Sequence, residues 1–178
     1  MIIALTGFMG CGKSSVGREL QTLLGCPLTD LDSYIEEKTG RSIPEIFSEE
    51  GEASFRQHEH DCLKRFLEET PEDETVILSL GGGTLTTDGC RDLIKSRTKC
   101  VYLRASLDTL EENLRDGVEG RPLLKGSGSL RSKISGMMKK RGPVYETAAD
   151  IIVDTDGKSF AETAETIKKI MDGDDTVK

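Results

Sequence analysis

Short apolar runs alternate along this chain with segments in which apolar residues recur every three or four positions. The first kind predicts buried strands at Ile2–Thr6, Leu28–Asp30, Thr75–Leu80, Cys100–Leu103 and Ile151–Val153. The second predicts helices between them. One spans Ser14–Leu24 and is closed by Gly25 and Pro27; another runs from about Ser33 to near Gly40. Ser42 and Glu45 form a capping box that opens a short helix ending at Gly51. In the longer helix that follows, Phe55, Cys62, Leu63, Phe66 and Leu67 share one face, and Pro71 ends it. Asp88 is expected to cap a helix to about Arg97, and Ser106 to start one reaching about Arg115. Leu130–Arg141 has helical period with Pro143 at its end or kink, and Ser159–Met171 closes the chain. Asp116 to Ser129 is rich in glycine and serine without helical period, so residues 116–129 read as a mobile lid loop, and 173–178 as a frayed tail. Alternating strands and helices argue βαβ units around a parallel sheet: an α/β fold, with residues 1–178 as one domain and no internal repeat.

Composition narrows the classes. At 178 residues, 35% hydrophobic and 31% charged, the chain suits a folded globular protein and not a disordered one. No apolar run approaches the ~20 residues that cross a bilayer. With no signal sequence ahead of the first strand, a cytoplasmic location is expected. The net charge of −8 disfavours nucleic acid and anionic membranes as partners. Five cysteines, Cys11, Cys26, Cys62, Cys90 and Cys100, include no C-x-x-C pair and read as reduced, mostly buried thiols. His58 and His60 lack a metal-ligand pattern. No heptad or apolar surface stripe appears, so a monomer is the default expectation.

The chemistry enters at "ALTGFMGCGKSSVG". Gly7, Gly12, Lys13 and Ser14 fit G-x-x-x-x-G-K-[ST], preceded by a strand and followed by a helix, the context that gives this motif meaning. Glycines let successive backbone N–H groups turn towards a polyphosphate, and the helix N-terminus adds a favourable field. Gly10, Cys11, Gly12, Lys13, Ser14 and Ser15 are therefore the candidate nucleotide-binding segment, with Lys13 on the β/γ oxygens and Ser14 on Mg²⁺.

An acceptor for the phosphoryl group should lie beside this loop, at the carboxyl ends of the strands. Asp30 and Asp32 follow the second strand. If the segment stays extended, both carboxylates face the loop. Asp30 then suits an outer-sphere metal partner and Asp32 an acceptor hydroxyl; Asp32 could equally cap the next helix. Arg56 and Glu59 share a helix face and form either a surface ion pair or a fork held for a carboxylate. Gly81, Gly82 and Gly83 permit close approach of backbone to a ligand. Arg115, Arg121 and Arg141 concentrate positive charge in the last third, Arg121 within the lid. Lys139 and Lys140 read as a solvated helix end. The residues alone imply a phosphotransferase acting on an anionic, hydroxyl-bearing small molecule. A kinase for another metabolite such as gluconate, or a nucleotide-binding protein without catalysis, remain alternatives.

The blocks "GFMGCGKSSVG", "DLD", "EIFSEEGEASFRQHE", "SLGGG", "RPLL" and "KRGPVYE", in this order, resemble the shikimate kinase family over nearly the whole chain. The resemblance implies a three-layer P-loop fold of the nucleoside-monophosphate-kinase type with a five-stranded parallel sheet. It implies MgATP-dependent phosphorylation of the shikimate 3-hydroxyl, giving shikimate 3-phosphate and ADP in aromatic amino-acid biosynthesis. By the same resemblance Lys13, Asp32 and Arg121 are catalytic. Asp32, Arg56, Gly81, Gly82 and Arg141 hold shikimate, and Phe47, Phe55, Glu59, Pro122 and Leu123 shape its pocket. Asp30 and Ser79 reach the metal through water, and Arg115 and Lys158 close over the adenine. The stretch between Arg115 and Arg121 is a residue shorter than is common in the family and carries Asp116 and Glu119.

Overall fold

The computed structural model of the chain describes residues 1–115, 124 and 128–173. In chain order the elements are β1 (Ile2–Thr6), α1 (Lys13–Leu24), β2 (Leu28–Asp30), α2 (Leu31–Thr39), α3 (Ile43–Glu69), β3 (Val76–Ser79), a 3₁₀ turn (Thr84–Thr86), α4 (Asp88–Arg97), β4 (Lys99–Arg104), α5 (Leu107–Leu114), α6 (Leu130–Ala148), β5 (Ile151–Asp154) and α7 (Phe160–Met171). The strands form one five-stranded sheet in the order β2-β3-β1-β4-β5. All four pairings are parallel. Parallel strands are buried on both faces, which is why β1 and β3 are apolar almost throughout instead of alternating. β5 lies at the edge, alternates buried and exposed positions, and leaves Ile152 open to solvent. α1 and α7 pack together on one face, where Gly17 lets α1 approach Leu5 and Leu28 closely. α6 covers the other face, with the Tyr145 ring 5.2 Å from that of Tyr102.

Several boundaries differ from the sequence expectation, each for a local reason. α2 begins at Leu31, two residues early, because Asp30 caps it: its Oδ1 accepts the Ser33 N–H at 3.1 Å. The segment after β2 is therefore helical, and the expectation of two carboxylates aligned along an extended chain does not hold. The short and long helices after Ser42 meet at Gly51, whose φ of 83° breaks the run, as the sequence suggested. Thr87, not Asp88, precedes α4, and Asp88 sits in the first turn. α6 does not stop at Arg141 but runs through Pro143 to Ala148. An interior proline costs about 3 kcal/mol; here Tyr145 and Ala148, buried one turn further on, offset it. Lys139 and Lys140 are exposed as expected, but they lie within this longer helix and not at its end. Most of the expected lid, 116–123 and 125–127, and the tail 174–178 lie outside the described residues.

Candidate active site

The carboxyl ends of β1, β2 and β3 meet at one sheet edge, and the candidate residues gather there. After β1 the chain turns through Gly7 to Gly12 into α1, with Gly12 in the left-handed region (φ 93°) as the residue before the helix. This geometry favours glycine and leaves the first N–H groups of α1, including those of Lys13, Ser14 and Ser15, without intrahelical partners. Lys13 Nζ donates to the carbonyls of Gly7 (2.8 Å) and Phe8 (3.1 Å), so its ammonium lies in the bend of the loop. The Gly10 carbonyl accepts from Asn113 Nδ2 at 2.9 Å, which fastens the loop to α5. Cys11 is buried beneath the loop, and all five cysteines are free and buried. Burial pushes the Cys90 and Cys100 thiols up to about 12, which makes them poor nucleophiles.

Asp32 stands in the first turn of α2. Its carboxyl is raised to about 6, first by burial, then by the charges of Asp30 and Glu59, with Lys13 opposing and Glu36 adding to the rise. Asp30 is register-paired with Ser79 across β2 and β3, and Ser79 is buried.

Across from Asp32, Arg56 projects from α3. Its Nη1 donates to Glu59 Oε2 at 2.7 Å, and Glu59 is only 1% exposed. The surface-pair reading of Arg56–Glu59 is therefore excluded by burial. Desolvation pulls the Arg56 pKa down, but Glu59 and Glu52 outweigh it and the net shift is upwards. The guanidinium lies over the Phe55 ring (5.1 Å to its centre), and Phe47 packs on Phe55 with ring centres 4.7 Å apart. Arg141 reaches the same edge from α6. Its Nη1 donates to the Gly82 carbonyl at 3.2 Å, which also accepts from Tyr145 Oη. Asp32, Phe47, Phe55, Arg56, Glu59 and Gly81–Gly83 line a cavity of about 700 Å³. Of the three glycines, Gly82 faces the phosphate loop, Gly81 faces Asp32 and Thr84, and Gly83 faces Arg56. A methyl group on Gly82 would lie 3.5 Å from the Met9 nitrogen and 3.8 Å from Arg141 Nη1. Gly82 thus sets bare backbone against the phosphate loop, and Met9 of that loop lines the cavity directly.

Arg121, Pro122 and Leu123 fall outside the described residues. Arg115 is exposed at the end of α5, and Lys158 Nζ donates to the Asp154 carbonyl at 3.0 Å. Neither belongs to the cavity. Sequence reasoning missed Phe160, half exposed, whose ring lies so close to the phosphate loop that a Cβ on Gly12 would stand 2.9 Å from it. An aromatic residue at the first position of the closing helix, just past β5, was the available signal. It also missed Met9, Ile43 and Pro44 in the cavity wall, and Thr84 and Tyr145 behind it. His58 and His60 pair with Glu50 and Asp61, and no group of three His, Cys, Asp or Glu side chains able to hold a metal occurs among the described residues.

A phosphate loop opening a doubly wound parallel sheet, beside a cavity lined by one raised carboxyl and Arg56, with Arg141 bonded to the Gly82 carbonyl of its wall, defines a P-loop protein with room for a small anion beside a polyphosphate. Comparison with known proteins narrows this. The shikimate kinase family model matches residues 9–172. The chain is 37% identical over 173 residues to shikimate kinase from Dictyoglomus turgidum, covering 96% of this chain and 97% of that one. It is 42% identical over 177 residues to that from Chlorobium limicola, covering 96% and 86%. Among solved structures, shikimate kinase from Acinetobacter baumannii in complex with shikimate superposes with a TM-score of 0.86 at 33% identity, covering 98% of this chain and 94% of that one. The chain belongs to the shikimate kinase family.

Proposed function

We propose that this protein transfers the γ-phosphoryl group of ATP to the 3-hydroxyl of shikimate, giving shikimate 3-phosphate and ADP. It would work as a cytoplasmic monomer in aromatic amino-acid biosynthesis. The observation that carries the reading is the adjacency of the Lys13 loop to the cavity of Asp32, Arg56 and Glu59: Met9 of the loop lines the cavity, and Gly82 in the wall lies against the loop backbone. Among the described residues no helix is long and apolar enough to cross a membrane.

In this reading the N–H groups from Gly10 to Ser15 and the Lys13 ammonium hold the phosphates. Arg56 and Arg141 grip the shikimate carboxylate, while Gly81 and Gly82 bring backbone close to the ring. Asp32 orients the 3-hydroxyl and takes its proton as the oxygen bonds to the γ-phosphorus and the β–γ bridging oxygen leaves with its electron pair on ADP. Arg121 is assigned to the transferred group, Pro122 and Leu123 to the pocket, and Arg115 and Lys158 to the adenine, on the family resemblance. Mg²⁺ fits the donors present. Ser14 is exposed in the first turn of α1, and Asp30 and Ser79 are register partners at the carboxyl ends of β2 and β3. Few protein ligands suit an ion held mainly by phosphate oxygens and water. Ser14 would ligate it directly and Asp30 and Ser79 through water, and the ion would supply positive charge to the phosphates.

Purified protein with MgATP is expected to release ADP only when shikimate is added, and to stop when EDTA removes the metal. Equal turnover with gluconate or quinate would remove the acceptor assignment. Gly83 offers a second check. Its φ of −106° suits any residue, but a methyl group there would stand 2.6 Å from Arg56 Nη2. Gly83→Ala is thus expected to push the guanidinium aside and raise the shikimate KM about tenfold with the ATP KM nearly unchanged, and to lower the thermal midpoint because buried Glu59 loses part of its pairing. Unchanged shikimate KM would show that Arg56 needs no space there.

A further inference from the structure

Behind the cavity, the turn that follows the three glycines touches the arginine system at one atom. Thr84 is fully buried, and its Oγ1 donates to Glu59 Oε1 at 2.7 Å. The other oxygen of the same carboxylate accepts from Arg56 Nη1 at 2.7 Å. Glu59 is therefore held at both ends, and at 1% exposure no bulk water stands by to replace either partner. Thr84 is itself fixed. It opens the 3₁₀ turn, its N–H donates to the Gly81 carbonyl at 3.2 Å, and its branched Cβ restricts χ1. The turn also reaches the opposite side of the cavity. A methyl group on Gly81 would lie 3.2 Å from Thr84 Oγ1 and 2.9 Å from Asp32 Oδ1.

We propose that Thr84 is a positioning residue for acceptor recognition: its hydroxyl orients Glu59, and Glu59 in turn sets the plane of the Arg56 guanidinium. A carboxylate tethered only by the arginine can rotate about its last torsion and carry the fork with it. One pinned by a buried hydroxyl cannot, and a fork must be held in plane to meet a carboxylate with two parallel hydrogen bonds. The Thr84 hydroxyl bonds Glu59 and none of Asp32, Gly82 or the phosphate loop, so its loss acts first on acceptor binding and not on the nucleotide side. The inference rests on Arg56 holding the acceptor's carboxylate, as proposed above.

The test is steady-state kinetics on Thr84→Val, Thr84→Ser, Arg56→Ala and the Arg56→Ala/Thr84→Val double variant, each with its thermal midpoint. Thr84→Val keeps the volume and removes the donor. The shikimate KM should rise about tenfold with kcat and the ATP KM within about twofold. Thr84→Ser should restore the KM. In the Arg56→Ala background Thr84→Val should add nothing, because residues acting through one group are not additive. If Thr84→Val fails to fold, Thr84→Ala against Thr84→Ser makes the same comparison. Overturning results are a raised shikimate KM that serine does not restore, equal rises in both KM values, or full additivity with Arg56→Ala. If Arg56→Ala raises the KM while Thr84→Val does not, the Thr84 inference alone fails. If Arg56→Ala leaves it unchanged, the carboxylate-grip reading fails as well.

Discussion

Asp32→Asn is expected to lower kcat about a hundredfold and, in the ligand-free protein, to raise the thermal midpoint at pH 8. The two effects share one origin. Burial, Asp30 and Glu59 raise the Asp32 carboxyl to about 6, against an ordinary value of 3.8. Between those values the folded chain holds a proton that the unfolded chain has released. Stability associated with Asp32 is therefore present at low pH and lost as pH rises through about 4 to 6. Above that window the ionised carboxylate opposes folding by about 2 kcal/mol, allowing for partial exposure. A neutral amide of the same shape removes that penalty and should raise the midpoint by roughly 4–8 °C. The same amide cannot accept the hydroxyl proton, and positioned acid–base groups contribute about 10²- to 10⁴-fold. The low end applies because a loose phosphoryl-transfer transition state asks little of a base. Thermal unfolding at pH 8 and initial rates check both halves. Full kcat would remove Asp32 from the chemistry, and a lowered midpoint would show that its charge is not strained. In the parent protein kcat/KM, which reports the free enzyme, should also fall as pH drops below about 6 and Asp32 takes up its proton.

Arg56→Lys has the second largest expected effect, in the other kinetic constant. The ammonium keeps the charge but has no plane, so it cannot satisfy buried Glu59 and meet a carboxylate edge-on at once. The shikimate KM is expected to rise between about tenfold and a hundredfold with kcat changed little, the pattern of lost uniform binding. Measuring both KM values separates this from general damage. An unchanged shikimate KM would place the acceptor's carboxylate elsewhere.

The nucleotide half of the candidate site was legible in the sequence because it is local: glycine spacing, Lys13 and Ser14 follow one strand and open one helix. The five strands and the Ser42–Glu45 box were legible for the same reason. The acceptor half was legible only as candidates. Three-residue spacing places Arg56 and Glu59 on one helix face, but it does not announce that Glu59 is buried or that Thr84, 25 residues beyond it, bonds its carboxylate. Likewise Tyr145 and Gly82 are 63 residues apart, so nothing near either announces their bond. Asp30 and Asp32 show the limit at short range. Either could cap α2, and the choice of Asp30 turns the following residues helical and frees the Asp32 carboxylate for the cavity. At Pro143 the local rule stopped the helix, but burial of Tyr145 carried it on.

The most direct test of the account is a crystal structure with MgADP and shikimate bound. The expected result has the guanidinium groups of Arg56 and Arg141 both within hydrogen-bond distance of the shikimate carboxylate, and the 3-hydroxyl lying between Asp32 and the phosphate loop. Shikimate seated with its carboxylate away from both arginines, or with a different hydroxyl facing Asp32, would contradict it.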